Sequence, residues 1–325
     1  MVFAEMLMAF TARFALIALL IANMLVTGAK ASDRIVITQY GTVLATLPWA
    51  VALNRGFLKR HGLDIDGFIG SNGGGTSIRN MIASRIPFAE VAPAAAIAGV
   101  RSGLKLKIIF TASNNTADLN WMVLKDSPIK TLADLKGRKV GFDSPQGATE
   151  MEIRLVLQRN KMDGAAELIT TGGSAVGVTA LESGGLDAVP YPNANIPPKE
   201  RILFKAIQYI PELTAEVGVT TEDYAKEHPD TLRALIAARR EAVDYIYSHP
   251  AEAAQIYATV WAVDESVARP IVNSAIQKNY WSRGNFVQSG LTSMAEGMNL
   301  VNPANSTVDI NTLIDRRFLP ADLRK

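Results

Sequence analysis

The first long apolar stretch runs from Phe14 to Val26, FALIALLIANMLV, interrupted only by Asn23 and preceded by Arg13. Its thirteen residues match the ~7–15 of a secretory h-region. They fall short of the ~20 a bilayer-spanning helix needs. Ala29-Lys30-Ala31 follows, a small-x-small site that a signal peptidase accepts. The pattern predicts an export signal over residues 1–31 and a mature chain beginning at Ser32. An uncleaved anchor or a buried first helix is the alternative.

Beyond Ser32 the pattern alternates between short apolar runs and helical periodicity. Arg34 to Thr38, around Ile35-Val36-Ile37, reads as a buried strand. Pro48 stands where an early helical residue tolerates a missing N–H, and that helix closes through Asn54-Arg55-Gly56. A strand over 64–69 leads through Gly73-Gly74-Gly75 into a helix with Ile78, Met81 and Ile82 on one face. Strands follow at 88–92 and 106–111. The same grammar restarts with a strand at 139–142, a helix from Ser144-Pro145-Gln146-Gly147 to about Asn160, and a strand at 167–170. Gly172-Gly173-Ser174 opens the next helix, and 186–190 reads as a strand. From Tyr224 on the chain reads as helical, with Leu232, Leu235, Ile236, Val243 and Ile246 on one face of a long helix begun at Pro229. This alternation predicts an α/β protein of two lobes, each a mostly parallel sheet flanked by helices.

Composition narrows the chemistry. At 325 residues the chain is long enough for two lobes. Its net charge of +2, without a basic run interleaved with aromatics, argues against nucleic acid as a partner. With no cysteine there is no disulfide, thiolate nucleophile, zinc–thiolate site or lipid-modified cysteine to expect. The histidines, His61, His228 and His249, fall at predicted helix ends and read as solvated boundary residues. No Ser/His/Asp pattern, paired carboxylate or metal spacing stands out, so neither a cofactor nor a metal is expected.

Three stretches carry a resemblance. They are Leu47-Pro-Trp-Ala-Val-Ala-Leu-Asn-Arg-Gly-Phe-Leu-Lys-Arg-His-Gly-Leu63, Leu132-Ala-Asp-Leu-Lys-Gly-Arg-Lys-Val-Gly141, and Gly172-Gly-Ser-Ala with Ala180-Leu-Glu-Ser-Gly-Gly-Leu-Asp-Ala188. In this order the chain resembles the type 2 periplasmic substrate-binding proteins of ABC transporters, specifically the nitrate/sulfonate/taurine group that also includes pyrimidine-precursor binders. Pro87 departs from the pattern, which usually has aspartate there. The resemblance implies a ligand cleft between lobes joined by two crossing segments. Lobe 1 would take residues 32–122 and return with the C-terminal helices over 218–325, and lobe 2 would be 123–217.

In open parallel sheets ligands bind beyond the carboxyl ends of the strands. The expected ligand-binding residues are therefore Tyr40, Gly41 and Thr42; Asn72, Gly73, Gly74 and Thr76; Pro93; and Asn115 in lobe 1. In lobe 2 they are Gln146 and Thr149; Gly173 and Ser174; and Tyr191 and Asn193. Trp49 joins them as a stacking plate, with a core position as its alternative. Arg79 faces either an acid or water, and Glu90 either lines the cleft or is a satisfied structural carboxylate. Glycine-led helix starts favour an anionic headgroup, each contributing ~0.3–1 kcal/mol, or up to ~2 when partly buried. A micromolar complex needs about 8 kcal/mol, so apolar and aromatic contacts must add the rest.

The resemblance implies a non-catalytic solute-binding protein in the periplasm. It would deliver a small anionic or aromatic organic molecule, of sulfonate, carboxylate or pyrimidine type, to the permease of an ABC importer. A monomer without membrane insertion after signal removal is expected. Two rivals remain. One is an enzyme of the same fold, like a pyrimidine-precursor synthase or a menaquinone-pathway enzyme; the yeast-type synthase relies on cysteines and a histidine that no predicted cleft loop supplies. The other is a ligand sensor that docks on a receptor.

Overall fold

The computed structural model describes residues 32–324 apart from Asn72 and residues 192–195. The expected export signal lies outside the described residues.

Lobe 1 rests on β1 (Asp33–Thr38), β2 (Ile65–Ser71), β3 (Phe88–Val91), β4 (Leu106–Thr111) and a late strand, β10 (Val217–Thr221), in the order β2-β1-β3-β10-β4. Ile35, Val36 and Ile37 are fully buried in succession, as befits a central strand covered on both faces. The early helices are α1 (Leu47–Asn54), α2 (Phe57–Arg60), α3 (Gly74–Ala83) and α4 (Pro93–Arg101). Gly56, at φ 71°, lets the chain turn sharply between α1 and α2. On α3 the buried stripe is Ser77, Ile78 and Met81, whereas Ile82 is 44% exposed. It lies about 40° past Ile78, beyond the edge of that stripe, which corrects the expected face.

Lobe 2 holds β5 (Asn120–Leu124), β6 (Lys139–Phe142), β7 (Glu167–Thr170), β8 (Val189–Tyr191) and β9 (Glu200–Lys205), with helices α5 (Ala148–Arg159) and α6 (Ser174–Glu182). A parallel bridge between Val140 and Ala188 joins the β7-β6 pair to β8-β5-β9. Each lobe's sheet then has one antiparallel strand in fourth place, β10 in the first and β5 in the second. Both are the strands that directly follow a crossing between lobes. The sequence pattern did not predict β5, β9 or β10.

The C-terminal helices are α7 (Glu222–Glu227), α8 (Pro229–Ser248), α9 (Pro250–Trp261), α10 (Glu265–Gln277), α11 (Gln288–Val301) and α12 (Ile310–Leu313). The predicted apolar face of α8 is buried throughout. Helix α11 lies against α5 of lobe 2: a Cβ on Gly297 would overlap the Met151 side chain. No described helix is long and apolar enough to cross a membrane.

Candidate functional site

The carboxyl ends of β1 and β6 meet loops of the opposite lobe. Directly after β1, Gln39 takes a left-handed backbone, φ 53°, which a non-glycine residue rarely adopts. It lines three cavities. The outer one, about 590 Å³, is walled by Gln39, Thr42 and Val43 on one side and by Gly172, Gly173, Ser174, Ala175, Val176, Val178, Tyr191 and Pro197 on the other. Val176, 58% exposed, presents an apolar side chain to it. Two small inner cavities of about 40 Å³ each lie deeper. One is lined by Thr38, Gly73, Gly74 and Ala92 of lobe 1 and by Asp143, Ser144, Gly147, Ala148 and Thr149 of lobe 2, with Glu216. The other is lined by Asp118, Asp143, Glu152, Glu216 and Tyr280 among others.

The inner cavities are acidic. Asp143 follows β6, and its carboxylate accepts from Ser174 Oγ at 3.2 Å. Its N–H donates to Thr149 Oγ1 at 2.9 Å. Burial pushes Asp143 up to about 6. Burial pushes Asp118 up to about 6 as well, against a hydrogen bond from Tyr280 that favours the ionised form. Glu152 is 3% exposed and its Oε2 has no hydrogen-bond partner. Burial, with Asp118, Glu216 and Asp143 close by, holds its carboxyl well above the usual range. Glu216 is raised well above it too, by burial and by Glu90 and Asp118. Arg239 opposes that rise, but its guanidinium is occupied by Glu90 and by the carbonyls of Ser282 and Ala112.

The sequence-predicted residues separate into groups. Thr42, Gly173, Ser174 and Tyr191 line the outer cavity. Gly73, Gly74 and Thr149 line the inner ones. Asn72 and Asn193 lie outside the described residues. Trp49 is not a stacking plate: it is fully buried in the lobe 1 core and donates to Glu90 Oε2 at 2.8 Å. Glu90 is the structural carboxylate rather than a cleft wall, 1% exposed and paired with Arg239. Asn115 faces another pocket, its Nδ2 donating to Lys278 O and its Oδ1 accepting from Ala117 N–H. Pro93 is buried in the first turn of α4. Thr76 is exposed and accepts from Arg79, itself exposed. Tyr40 packs on Phe68 with ring centroids 4.6 Å apart, beside Gly41 at φ 75°. Gln146 is left-handed at φ 57°, and its Oε1 is buried without a partner. None of Trp49, Thr76, Pro93, Tyr40, Gly41 and Gln146 lines the three cavities.

The histidines do sit at helix ends, though not simply in solvent. His61 meets Glu241 at 2.9 Å, and the rings of His228 and His249 lie against Tyr224 and Tyr245.

Sequence reasoning missed Gln39, Val43, Asp118, Asp143, Glu152 and Glu216. A signal was present for three of them: Asp143 directly ends the KVGF strand, Glu216 directly precedes VGVTT, and Asp118 stands just before NWMVL. A carboxylate abutting an apolar strand marks a buried strand end.

A family model described as NMT1/THI5 like matches residues 45–253. The chain belongs to the NMT1/THI5-like family. It is 27% identical over 228 residues to proteins of Brucella abortus (strain 2308) and Brucella suis biovar 1 named as binding proteins, covering 67% of this chain and 68% of theirs. Its fold is that of the two-lobed periplasmic binding proteins. The Escherichia coli periplasmic aliphatic sulphonate binding protein SsuA superposes with a TM-score of 0.69 at 16% identity, over 89% of this chain and 93% of that one. The Synechocystis PCC 6803 nitrate-binding protein NrtA superposes with a TM-score of 0.68 at 14% identity, over 90% and 91%. A desulfurization enzyme, DSZB, shares the fold at a TM-score of 0.60 and 14% identity, over 89% and 98%.

Within this NMT1/THI5-like chain the resembling stretch at Gly172–Ala175 lines the outer cavity, whereas those at 47–63 and 132–141 line none of the three. The Leu132–Leu135 turn is closed by Thr131 and Asp134, whose side chain accepts from the Lys130 and Thr131 N–H groups, just ahead of β6, which pairs in parallel with β7. Where the resemblance leads one to expect aspartate, the Pro87 carbonyl accepts from Thr220 Oγ1 at 2.7 Å, tying β3 to β10.

Proposed function

We propose that the chain is an exported solute-binding protein that captures a small organic molecule between its lobes and presents it to the permease of an ABC importer. The observation that carries this reading is that Gln39 and Gly74, from one side of the crossing segments, and Asp143 and Thr149, from the other, line one cavity. A molecule touching both sides favours the state in which they are close, and closure is then the signal a permease reads. The lobes are taken as residues 32–122 with 218–325, and 123–217, with the boundaries moved to the starts of β5 and β10, since β5 (Asn120–Leu124) pairs wholly with lobe 2 strands and β10 (Val217–Thr221) wholly with lobe 1 strands.

The reading is of binding without chemistry, in the periplasm, by a monomer whose mature form starts at Ser32. Periplasmic extracts should yield that N-terminus. Purified protein should release a small molecule on denaturation and rebind it unchanged. Deletion of the gene should abolish uptake of that molecule. Conversion of the molecule by the protein, lost on mutation of cleft residues, would instead favour an enzyme.

A further inference from the structure

We infer that the ligand carries a cationic nitrogen group, seated among Asp118, Asp143, Glu152 and Glu216, with an apolar remainder in the outer cavity. The inference rests on the solute-binding reading above and names its substrate class.

Charge is the first argument. Four carboxyls line the inner cavities, and no Lys, Arg or His lines any of the three cleft cavities. Asn72 and residues 192–195 (Pro-Asn-Ala-Asn), outside the described residues, carry no charged side chain in the sequence. Arg239, the cation that acts on Glu216, is already spent on Glu90 and two carbonyls. Lys205 and Lys278 line none of the three, but they line a pocket of about 90 Å³ that shares Asp118 with the inner cavity. An anion entering here would meet like charge, or protonated acids, with no cationic side chain on the cavity walls to balance it.

Orphaned hydrogen-bonding capacity is the second argument. Glu152 is 97% buried by its 3% exposure, lines the inner cavity, and its Oε2 has no partner. A buried carboxylate oxygen without a donor is costly, and an ammonium, amidinium or guanidinium group supplies both the donor and the charge.

Third, acidic side chains stand close to two of the helix starts an anion would use. The Gln146 N–H ahead of α5 donates to Glu150 Oε2 at 2.8 Å, and the Ser174 hydroxyl at the start of α6 donates to Asp143. Carboxylates thus stand beside both of these helix starts, although no side chain caps the first-turn N–H groups of α5, α6 or α3. A metal ion is not the better occupant: among the described residues no group of three or more His, Cys, Asp or Glu side chains is placed to hold one.

Size completes the picture. The inner cavities suit a headgroup and no more. The outer cavity, reached past Gln39 and Val43, offers Val176, Val178, Tyr191 and Pro197 to an apolar or aromatic body.

The test is a thermal-shift and calorimetric comparison on the mature chain with charge-matched probes. The cationic series is benzylamine, benzamidine, phenethylamine and agmatine; the anionic series is benzoate, benzenesulfonate and taurine. Calcium and magnesium chloride serve as inorganic controls. Cationic members should bind and anionic ones should not. Glu152→Gln and Glu216→Gln should each weaken the cationic probe at least tenfold while folding normally, and Arg79→Gln, outside the cleft, should leave it unchanged. Binding of the anionic series, or of the metal ions alone, or cation binding that ignores both Gln variants, overturns the inference and leaves the solute-binding reading standing. If neither series binds and the purified protein yields no small molecule, both fall together.

Discussion

Arg239 and Glu90 form an ion pair inside the lobe 1 core, Nε to Oε2 at 2.9 Å, with 2% and 1% of their side chains exposed. The remaining guanidinium N–H groups go to the carbonyls of Ser282 and Ala112, and Trp49 donates to the same carboxylate oxygen. This one arginine therefore links α8, β3, α1 and the first crossing segment. Arg239→Met would keep much of the volume but strand a buried carboxylate and two carbonyls. The expected cost is about 3–5 kcal/mol, read as a shift in the urea midpoint with an unchanged slope. A change below about 1 kcal/mol would mean that Glu90 accepts a proton and the surroundings relax around it.

The cleft carboxyls make stability depend on pH in a direction opposite to the usual one. Asp118 and Asp143 titrate near 6 in the folded chain and near 3.8 without the fold. Between those values the folded state holds more protons than the unfolded state, so stability falls as pH rises. Glu152 and Glu216, raised well above their ordinary value, extend that fall above pH 6. The charged and titratable groups facing them are one another, Tyr280, Tyr257, Glu90 and the paired Arg239, with Lys205 and Lys278 in the pocket that shares Asp118. Ligand-free protein should thus be most stable in mildly acidic buffer and lose stability, of order 2 kcal/mol, toward neutral pH. Glu152→Gln should flatten the decline. Thermal melts at half-unit pH steps check it, and a stability maximum above pH 7 would contradict it.

What the sequence made legible follows from periodicity. Strands β4, β6 and β7 were read to the residue, because each is a short apolar or alternating run between turn residues. Helix α8 was read for the same reason, its stripe being long enough to average out exceptions. Strands β5 and β10 were missed because NWMVL and VGVTT directly follow crossing segments, and β9 because ERILFK after the proline-bearing 192–198 stretch reads no more clearly as a strand than as a helical turn; their partners in space make them strands. The site divided similarly. Loops at strand ends were found, since topology puts them there. The carboxyls were not, because Asp118 and Glu216 sit in crossings and Glu152 lies among the buried residues of α5, where a single sequence shows no reason for an acid. Trp49 misled for the converse reason: an indole in a cleft-side helix and an indole in a core look alike until its Nε1 partner is known.

Gly74 is held by packing as well as by its place on the cavity wall. A Cβ there would overlap the Ala95 methyl, so the glycine lets α3 lie close against α4. Gly74→Ala should destabilise by about 1–3 kcal/mol, the usual range for overpacking. Gly74→Ala combined with Ala95→Gly should recover much of that. Recovery of stability with ligand affinity still reduced would assign the residue a contact role too, whereas full recovery of both would make it purely a packing residue.

Thr149 separates the two roles more cleanly. Its Oγ1 accepts the Asp143 N–H at 2.9 Å, and the residue lines both inner cavities. The hydroxyl therefore fixes the backbone that carries a cleft carboxyl. Thr149→Ala leaves that buried N–H without an acceptor and should cost about 1–3 kcal/mol. Thr149→Ser keeps the acceptor and loses only a methyl group, so it should cost about 1 kcal/mol. Binding should follow the same order. If the hydroxyl works by orienting Asp143, Ser restores affinity for whatever small molecule the protein carries, and Ala weakens it several-fold. Calorimetry on both variants, with unfolding curves alongside, decides the matter: equal affinity in Ala and Ser, in well-folded protein, would show that the Asp143 loop keeps its geometry without Thr149.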